Sequence, residues 1–486
     1  MPNLTRTGLV AGVDSSTGAT KLELIDLNTG VVVAQARRQH PATTPPESEQ
    51  DPRAWWNALL GCFEELQHHL PDVKAVSISG QQHGFVALDG NNDPVRPAKL
   101  WNDTTSAPQS RAMIEKLGPA TWASAVGSLP APAFTVTKLA WLAANEPHSL
   151  LRVRRVGLPH DYLNLRLTGR WGTDRGDASG TGYWSAQSGE YLTDLIEAAG
   201  VSPDMIEFPE VLGPFEVVGN VVAPELLALG LSSDVVAGPG SGDNMCAALG
   251  LGLRAGDVVV SLGTSGTAYA VSDTGTNDEL GLVAGFADAT GHFLPLVCTL
   301  NATKVTESIR RLLGVSFERL DELALSAPQG ANGLTLVPYF DGERTPNRPD
   351  ATGALVGLRT SVERADMARA AFEGVTCGLL DGVDALIANG VTADGRFFLI
   401  GGGSKSKAFA AIFASLAERD ILRPASDETV ARGAAVQAAC VLTGHEPSRF
   451  TRLWRLDESR LVSPSLVQGE AASVVRERYR TEASMR

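Results

Sequence analysis

The chain has 486 residues, 43% of them hydrophobic, and a formal net charge of −14; that length exceeds a single core and fits two domains of about 240 residues each. The acidic balance leaves no basic stripe to neutralise a nucleic-acid backbone, so nucleic acid is not expected as a partner. The five cysteines (Cys62, Cys246, Cys298, Cys377, Cys440) stand far apart with no C-x-x-C pair, and no run reaches the roughly 18 apolar residues of a membrane span, so we expect a soluble cytoplasmic protein with reduced thiols and no membrane partner.

In chain order, Leu9–Val13 reads as a buried strand, Asp14 to Gly18 as a tight turn and Leu22–Leu27 as the returning strand. Asn28-Thr29-Gly30 signals a second hairpin turn into Val31–Ala36. The chain therefore opens as an antiparallel meander. A Walker loop or a Rossmann fingerprint would need a helix directly after the glycine turn, and neither pattern is present. From Pro52 to Leu70, Trp55, Trp56, Leu59, Leu60, Phe63 and Leu66 recur at helical spacing. Val73–Ser79 is a strand running into Gly80-Gln81-Gln82-His83-Gly84. A hairpin, Phe85–Leu88, and a polar cluster, Trp101-Asn102-Asp103, follow. Convergent donors and acceptors beside a flat apolar indole have the composition of a polyol site. Two polar loops around a packed Trp are the plainer alternative. Phe134–Asn145, His160–Leu167 and Glu190–Ala199 read as helices, Val217–Val222 as a strand, and Asp177 to Gly182 as a structural turn.

Near the middle of the chain stands Gly238 to Gly250, GPGSGDNMCAALG, with Asp243 as its one charged residue. Beyond it, Val258–Leu262, the turn Gly263 to Gly266 and Thr267–Val271 copy the opening hairpin. Ser16-Thr17-Gly18 lies over Thr264-Ser265-Gly266. Asn301–Leu313 and Phe317–Leu325 are helices, Leu334–Pro338 a strand, and Phe340 to Gly353 an irregular loop rich in Gly, Pro and charge. A long helix, Val362–Asn389, ends at Gly390. The strand Phe397–Ile400 runs into Gly401-Gly402-Gly403-Ser404-Lys405, then a helix, Ala408–Glu418. Arg432–Ala439 is a small-residue helix suited to tight packing.

A repeat at half the chain length suggests two related lobes around a cleft. Two Ser/Thr/Gly turns facing that cleft would offer N–H and hydroxyl donors to a polyphosphate. Asp243, at the seam, is then a base acting on the phosphate acceptor, a plain helix N-cap, or both at once, since the two roles do not exclude each other.

Together these motifs resemble the FGGY family of carbohydrate kinases, over about Leu9 to Leu442. AGVDSSTGATK is similar to the family's first phosphate motif, VVVSLGTSGTAYA to its second, and FLIGGGSKSKAFAAIFASLAER to its C-terminal signature and adenosine motif. SGQQHG, WND, LPHDYLNLRLTG and GSGDN are most similar to the family's xylulose kinases. Many of those carry Leu-Gly where this chain has Ser15-Ser16, some carry Gln at Gly18, and Met is common at Gln82, a change that bears on sugar preference.

The resemblance implies an α/β fold of two ribonuclease H-like lobes, as in actin, hexokinase and the Hsp70 ATPase, with a central cleft. Residues 1–245 would form the sugar-binding lobe and 246–486 the ATP-binding lobe. It implies ATP and Mg²⁺, and phosphorylation of a ketose, D-xylulose to D-xylulose 5-phosphate. Asp243 would accept the proton of the sugar hydroxyl, and Asp14 would hold Mg²⁺ through water. Ser16, Thr17, Lys21, Gly263 and Thr264 would face the phosphates, and Gly401, Gly402 and Lys405 the adenosine. Gln82, His83, Asn102 and Trp101 would line the sugar. The family allows a homodimer. The alternatives are a family member acting on ribulose, fuculose, a heptulose or gluconate, and a non-enzymatic ATP-binding protein of the actin-like fold.

Overall fold

The structure, a computed structural model, describes residues 8–426, 428–464 and 468–486. Two seven-stranded mixed sheets repeat one plan. In the first, Leu9–Ser15 pairs antiparallel with Ala19–Asp26, which pairs with Val32–Gln39, while Val73–Gly80 runs parallel on the other side. In the second, Val258–Leu262 pairs antiparallel with Gly266–Ala270 and that strand with Phe293–Thr299, while Phe397–Ile400 runs parallel to Val258–Leu262. The duplicated hairpins are thus duplicated in space, and each is followed across the sheet by a parallel strand. The loops leaving those strands, Gly80–Gly84 and Gly401–Lys405, hold equivalent places in the two halves.

The register dictates what each hairpin presents. Asp14 lies opposite Lys21 and beside Ser79, and Ser15 lies opposite Thr20. The turn is tight because Ser16 donates to the Ala19 carbonyl through both its N–H and its hydroxyl, each at 3.0 Å. The second strand therefore starts at Ala19, earlier than the apolar run Leu22–Leu27 announces.

The halves are joined by two crossing helices, Asp243–Gly250 and Thr429–Thr443. Cβ atoms added at Gly433 and Gly250 would come 1.8 Å from the Cys246 carbonyl oxygen and 2.0 Å from that of Thr429. Only glycine allows this backbone contact. Met245, Ala248 and Leu249 share a core with Val259 and Tyr269, while Thr429–Thr443 lies over Leu9–Ser15 and Val73–Gly80. Gln437 fastens the arrangement, taking the Gly240 N–H and donating to the Gly240 carbonyl, both at 2.9 Å.

Several elements differ from expectation. The first helix stops at Glu65, and Gln67–Asp72 continues as a 3₁₀ turn around Pro71. Glu190 and Tyr191 form a strand against Trp184 and Ser185, and only Thr193–Ala198 is helical. The strand expected at Val217–Val222 shrinks to Gly219–Asn220. Among the described residues, no helix is long and apolar enough to cross a membrane.

Candidate active site

The cap of the helix that starts at the seam is Gly242, so Asp243 is its first residue and not the side-chain cap. Its carboxylate accepts the N–H of Asn244 at 2.8 Å and the Asn244 amide at 2.9 Å; that amide also donates to Gln82 Oε1 at 2.6 Å. Asn244 thereby ties Asp243 to the loop leaving Val73–Gly80. A Cβ at Gly242 would strike Gln82 Cγ at 2.6 Å, so the glycine makes room for this approach. Asp243 is half-buried, deep among protein atoms yet open to the cleft. Burial raises its carboxyl to about 7, and the Asp14 and Asp177 carboxylates add to the effect.

Asp14 is buried, and that burial raises it to about 6, against the pull of Lys21 at 3.7 Å. Lys21 is shared with Glu428 at 2.7 Å. The Thr17 hydroxyl is already engaged, donating to Gln81 Oε1 and accepting from the Trp101 indole, both at 3.0 Å. This holds the Trp101 indole against the first hairpin turn.

His83 takes a left-handed backbone, φ 64°, and buries its ring 4.9 Å from Phe134 and 5.3 Å from Phe286. Burial first, then the Lys138 and Arg344 side chains, push it well below the ordinary histidine range, so it is neutral. Phe286 comes from Ala284–Ala287, the outermost strand of the second sheet. That strand docks on the first lobe through Gly285 N–H to the Gly127 carbonyl and Ala287 N–H to the Ser179 hydroxyl, both at 2.9 Å.

Asp177, read from sequence as part of a structural turn, is fully buried behind this site. His160 Nδ1 lies 3.2 Å from one of its oxygens without hydrogen-bond alignment. Burial opposes charge on His160, but Asp161, Asp177 and Asp174 prevail and raise it to about 9, so it is an imidazolium. Asp174 accepts the Asp177 N–H at 3.0 Å and the Ser241 hydroxyl at 2.6 Å, linking Asp177 to the stretch that carries Asp243. No local pattern in either segment joins position 160 to 177.

Buried polar atoms in folded proteins are nearly always paired. Here Gln82 Nε2, His83 Nδ1, Asn102 Oδ1, both Asp177 oxygens, Thr267 Oγ1 and the Tyr269 hydroxyl are buried without a hydrogen-bond partner. The Asp243 carboxylate is close enough to Tyr269 to help burial raise its phenol. These atoms are donors and acceptors contributed by both halves of the chain.

On the second lobe, the Gly263 carbonyl accepts the Thr303 N–H at 3.0 Å and its hydroxyl at 2.7 Å, and the Thr264 carbonyl accepts the Ala302 N–H at 3.2 Å. The turn is thus held from behind, with Thr264 exposed. Gly401, φ 83°, sits on the end of Val258–Leu262, and nothing lies within 4 Å of where a Gly402 side chain would begin. A groove of about 450 Å³ lies nearby, lined by Lys304, Glu307, Ser308, Arg311, Phe340 and Asp341. Lys405 stands at the end of the 3₁₀ turn Gly402–Lys405.

Comparison with known proteins agrees with this geometry. Residues 9–250 match the family model described as "FGGY family of carbohydrate kinases, N-terminal domain", and residues 258–442 match its C-terminal domain. The chain is 45% identical over 447 residues to a xylulose kinase of Streptomyces rubiginosus, covering 92% of this chain and 90% of that one. It is 34% identical to a xylulose kinase of Haemophilus influenzae, covering 97% and 99%. The crystal structure of xylulose kinase from Bifidobacterium adolescentis superposes with a TM-score of 0.85 at 41% identity, covering 98% and 99%.

Proposed function

The chain belongs to the FGGY family of carbohydrate kinases, and on that premise we propose that it transfers the γ-phosphoryl group of ATP to the C5 hydroxyl of D-xylulose, giving D-xylulose 5-phosphate. The observation that supports this reading is that Gln82, Asp177 and Tyr269, each with a buried polar atom that lacks a partner, gather around Asp243. A polyhydroxylated ligand satisfies such a set; an apolar ligand would leave each atom at a cost of about 1–3 kcal/mol. The similar proteins described as xylulose kinases supply the choice of sugar.

In this reading Gln82, His83, Asn102 and Asp177 take the ketose hydroxyls, and Trp101 closes the lip. Asp177 can only accept, so it meets hydroxyl donors. Asp243 accepts the proton of O5 as O5 bonds to the γ-phosphorus; the bond to the β–γ bridging oxygen breaks and ADP leaves with that electron pair. A carboxyl raised to about 7 is suited to this work, since a base is most effective when its pKa lies near the operating pH. Gly263, Thr264, Ser16 and Thr17 hold the phosphates, with Lys21 beside Asp14. Gly401, Gly402 and Lys405 face the adenosine.

Among the described residues, no three His, Cys, Asp or Glu side chains are grouped to hold a metal. Asp14, a single buried carboxylate in the cleft, fits Mg²⁺ held mainly by nucleotide oxygens and water. When bound, the ion would neutralise phosphate charge that the protein meets with few cations. An ATP-consuming enzyme with unpaired cysteines suits the cytoplasm.

The test is a panel of ketoses, aldoses, polyols and sugar acids in an assay coupled to ADP release. Xylulose should give the highest kcat/KM. A higher value for another sugar would replace the substrate, and sugar-independent ATP consumption would remove the kinase reading.

A further inference from the structure

The helix Thr135–Asn145 begins beside His83, and its start meets that residue with Phe134, Thr135 and Lys138. Phe134, the residue before the helix, lays its ring 4.9 Å from the imidazole. The Thr135 hydroxyl donates to the His83 carbonyl at 3.3 Å, and the Lys138 amino group donates to the same carbonyl at 3.2 Å. Side chains on a helix lean towards its N-terminus. Lys138, one turn in, therefore reaches back past the helix start and also donates to the Ala133 carbonyl.

Lys138 is fully buried, and its hydrogen-bond partners among the described residues are these two main-chain carbonyls. Burying an amino group away from water costs free energy that an apolar chain of the same length would not. Packing alone therefore does not account for a lysine here, and the phosphoryl transfer makes no direct use of it.

What the lysine holds is a strained residue. His83 has φ 64°, a left-handed backbone that costs a residue with a Cβ about 1–3 kcal/mol and persists only where the surroundings over-determine it. The ring is confined as well. Phe134 and Phe286 flank it at 4.9 and 5.3 Å, and a Cβ at Gly180 would lie 2.4 Å from its Cε1. The helix start is tied to the segment that carries Gly180, since the Val136 N–H donates to the Thr181 carbonyl at 2.8 Å. The carbonyl is fixed by two donors and the ring by two phenyl groups, so the imidazole is left one orientation.

We propose that Lys138 and Thr135 form a clamp on the His83 carbonyl that keeps the imidazole presented to the sugar, with Lys138 a positioning residue that acts through His83. This rests on the reading above, in which His83 takes a ketose hydroxyl.

The experiment is a double-mutant cycle of wild type, Lys138→Met, His83→Gly and the double variant, measuring the KM for xylulose and the KM for ATP, each with the other substrate saturating. Glycine removes the ring and accepts the left-handed backbone. Lys138→Met should raise the xylulose KM by about 3- to 10-fold, the worth of one hydrogen bond, and leave the ATP KM unchanged. In the His83→Gly background it should add nothing. Thr135→Val, which removes the other donor, should behave in the same way and decides the matter if Lys138→Met does not fold. An unchanged xylulose KM, an equal rise in the ATP KM, or effects that multiply across the cycle would overturn the clamp, because a merely structural lysine acts whether or not the ring is there. If wild type prefers another sugar, that sugar takes the place of xylulose in the cycle. If it phosphorylates none, the parent reading fails before any variant is compared, and the clamp with it.

Discussion

At the residue scale, one half-buried carboxylate is held in two relations at once. Asp243 is bonded through Asn244 to Gln82 and lies within the field of Asp14 and Asp177. Because a deprotonated base is required and burial raises Asp243 to about 7, kcat/KM should fall with acid through the range from about 7 to 6, the lower figure being that of Asp14; a pH-rate profile checks this. Asp177→Asn should raise the sugar KM by about 10- to 100-fold and move that acid limb to lower pH, because one of the charges opposing ionisation of Asp243 is gone. The same shift bears on stability. A folded-state pKa above the unfolded value means that the folded state holds its proton more tightly, so Asp243 favours folding below about 4 and costs stability above about 7. Asp243→Asn should therefore raise Tm at pH 8 and leave it nearly unchanged at pH 4. The equal shift at both pH values would show that the carboxylate is not the strained group. Asp243, Asp14, Gln82 and His83 were singled out in the sequence because they stand beside glycine turns, and their part in the site is a proposal. Asp177 and Tyr269 were not singled out. Their place in the site comes from contacts between segments far apart in the chain, such as Asp174 to Ser241.

At the scale of elements, the duplicated hairpins and the parallel strands beside them were readable because their apolar runs end in glycine turns. Other elements were settled by pairing partners. Glu190 and Tyr191 have helix-compatible neighbours, yet they pair with Ser185 and Trp184. Phe293–Thr299, the counterpart of Val32–Gln39, has no turn signature of its own and is defined by its ladder with Gly266–Ala270. The crossing helices were half legible. The small residues of Thr429–Thr443 announced a close neighbour, but not that the neighbour would be Asp243–Gly250. At this scale Gly433→Val is the decisive change, since a side chain must start 1.8 Å from the Cys246 carbonyl. We expect a loss of about 3 kcal/mol or more in urea unfolding, at the upper end for overpacking. Gly402→Ala, with open space at its Cβ, should leave stability unchanged and weaken ATP binding if adenosine occupies that space.

At the scale of the whole molecule, each half contributes what the other lacks. In the reading proposed above, the first lobe carries the sugar loop and the second the braced phosphate turn. The two helices pack on each other at the seam that bears Asp243, and Thr429–Thr443, from the second half, lies over the first half's sheet. Net charge of −14 means that the surface field does not draw phosphates in. Ketose with a non-hydrolysable ATP analogue should reduce the radius of gyration in solution scattering, and neither ligand alone should do so fully. The central claim is that a carboxylate at the junction of the two halves takes the sugar's proton. Its most direct test is ADP release by wild type and Asp243→Asn, with and without xylulose, alongside ATP binding by both. The account predicts ketose-stimulated turnover in wild type, loss of at least about 10²-fold in the variant, and equal ATP affinity. A variant that binds ATP and turns over xylulose at the wild-type rate would contradict it.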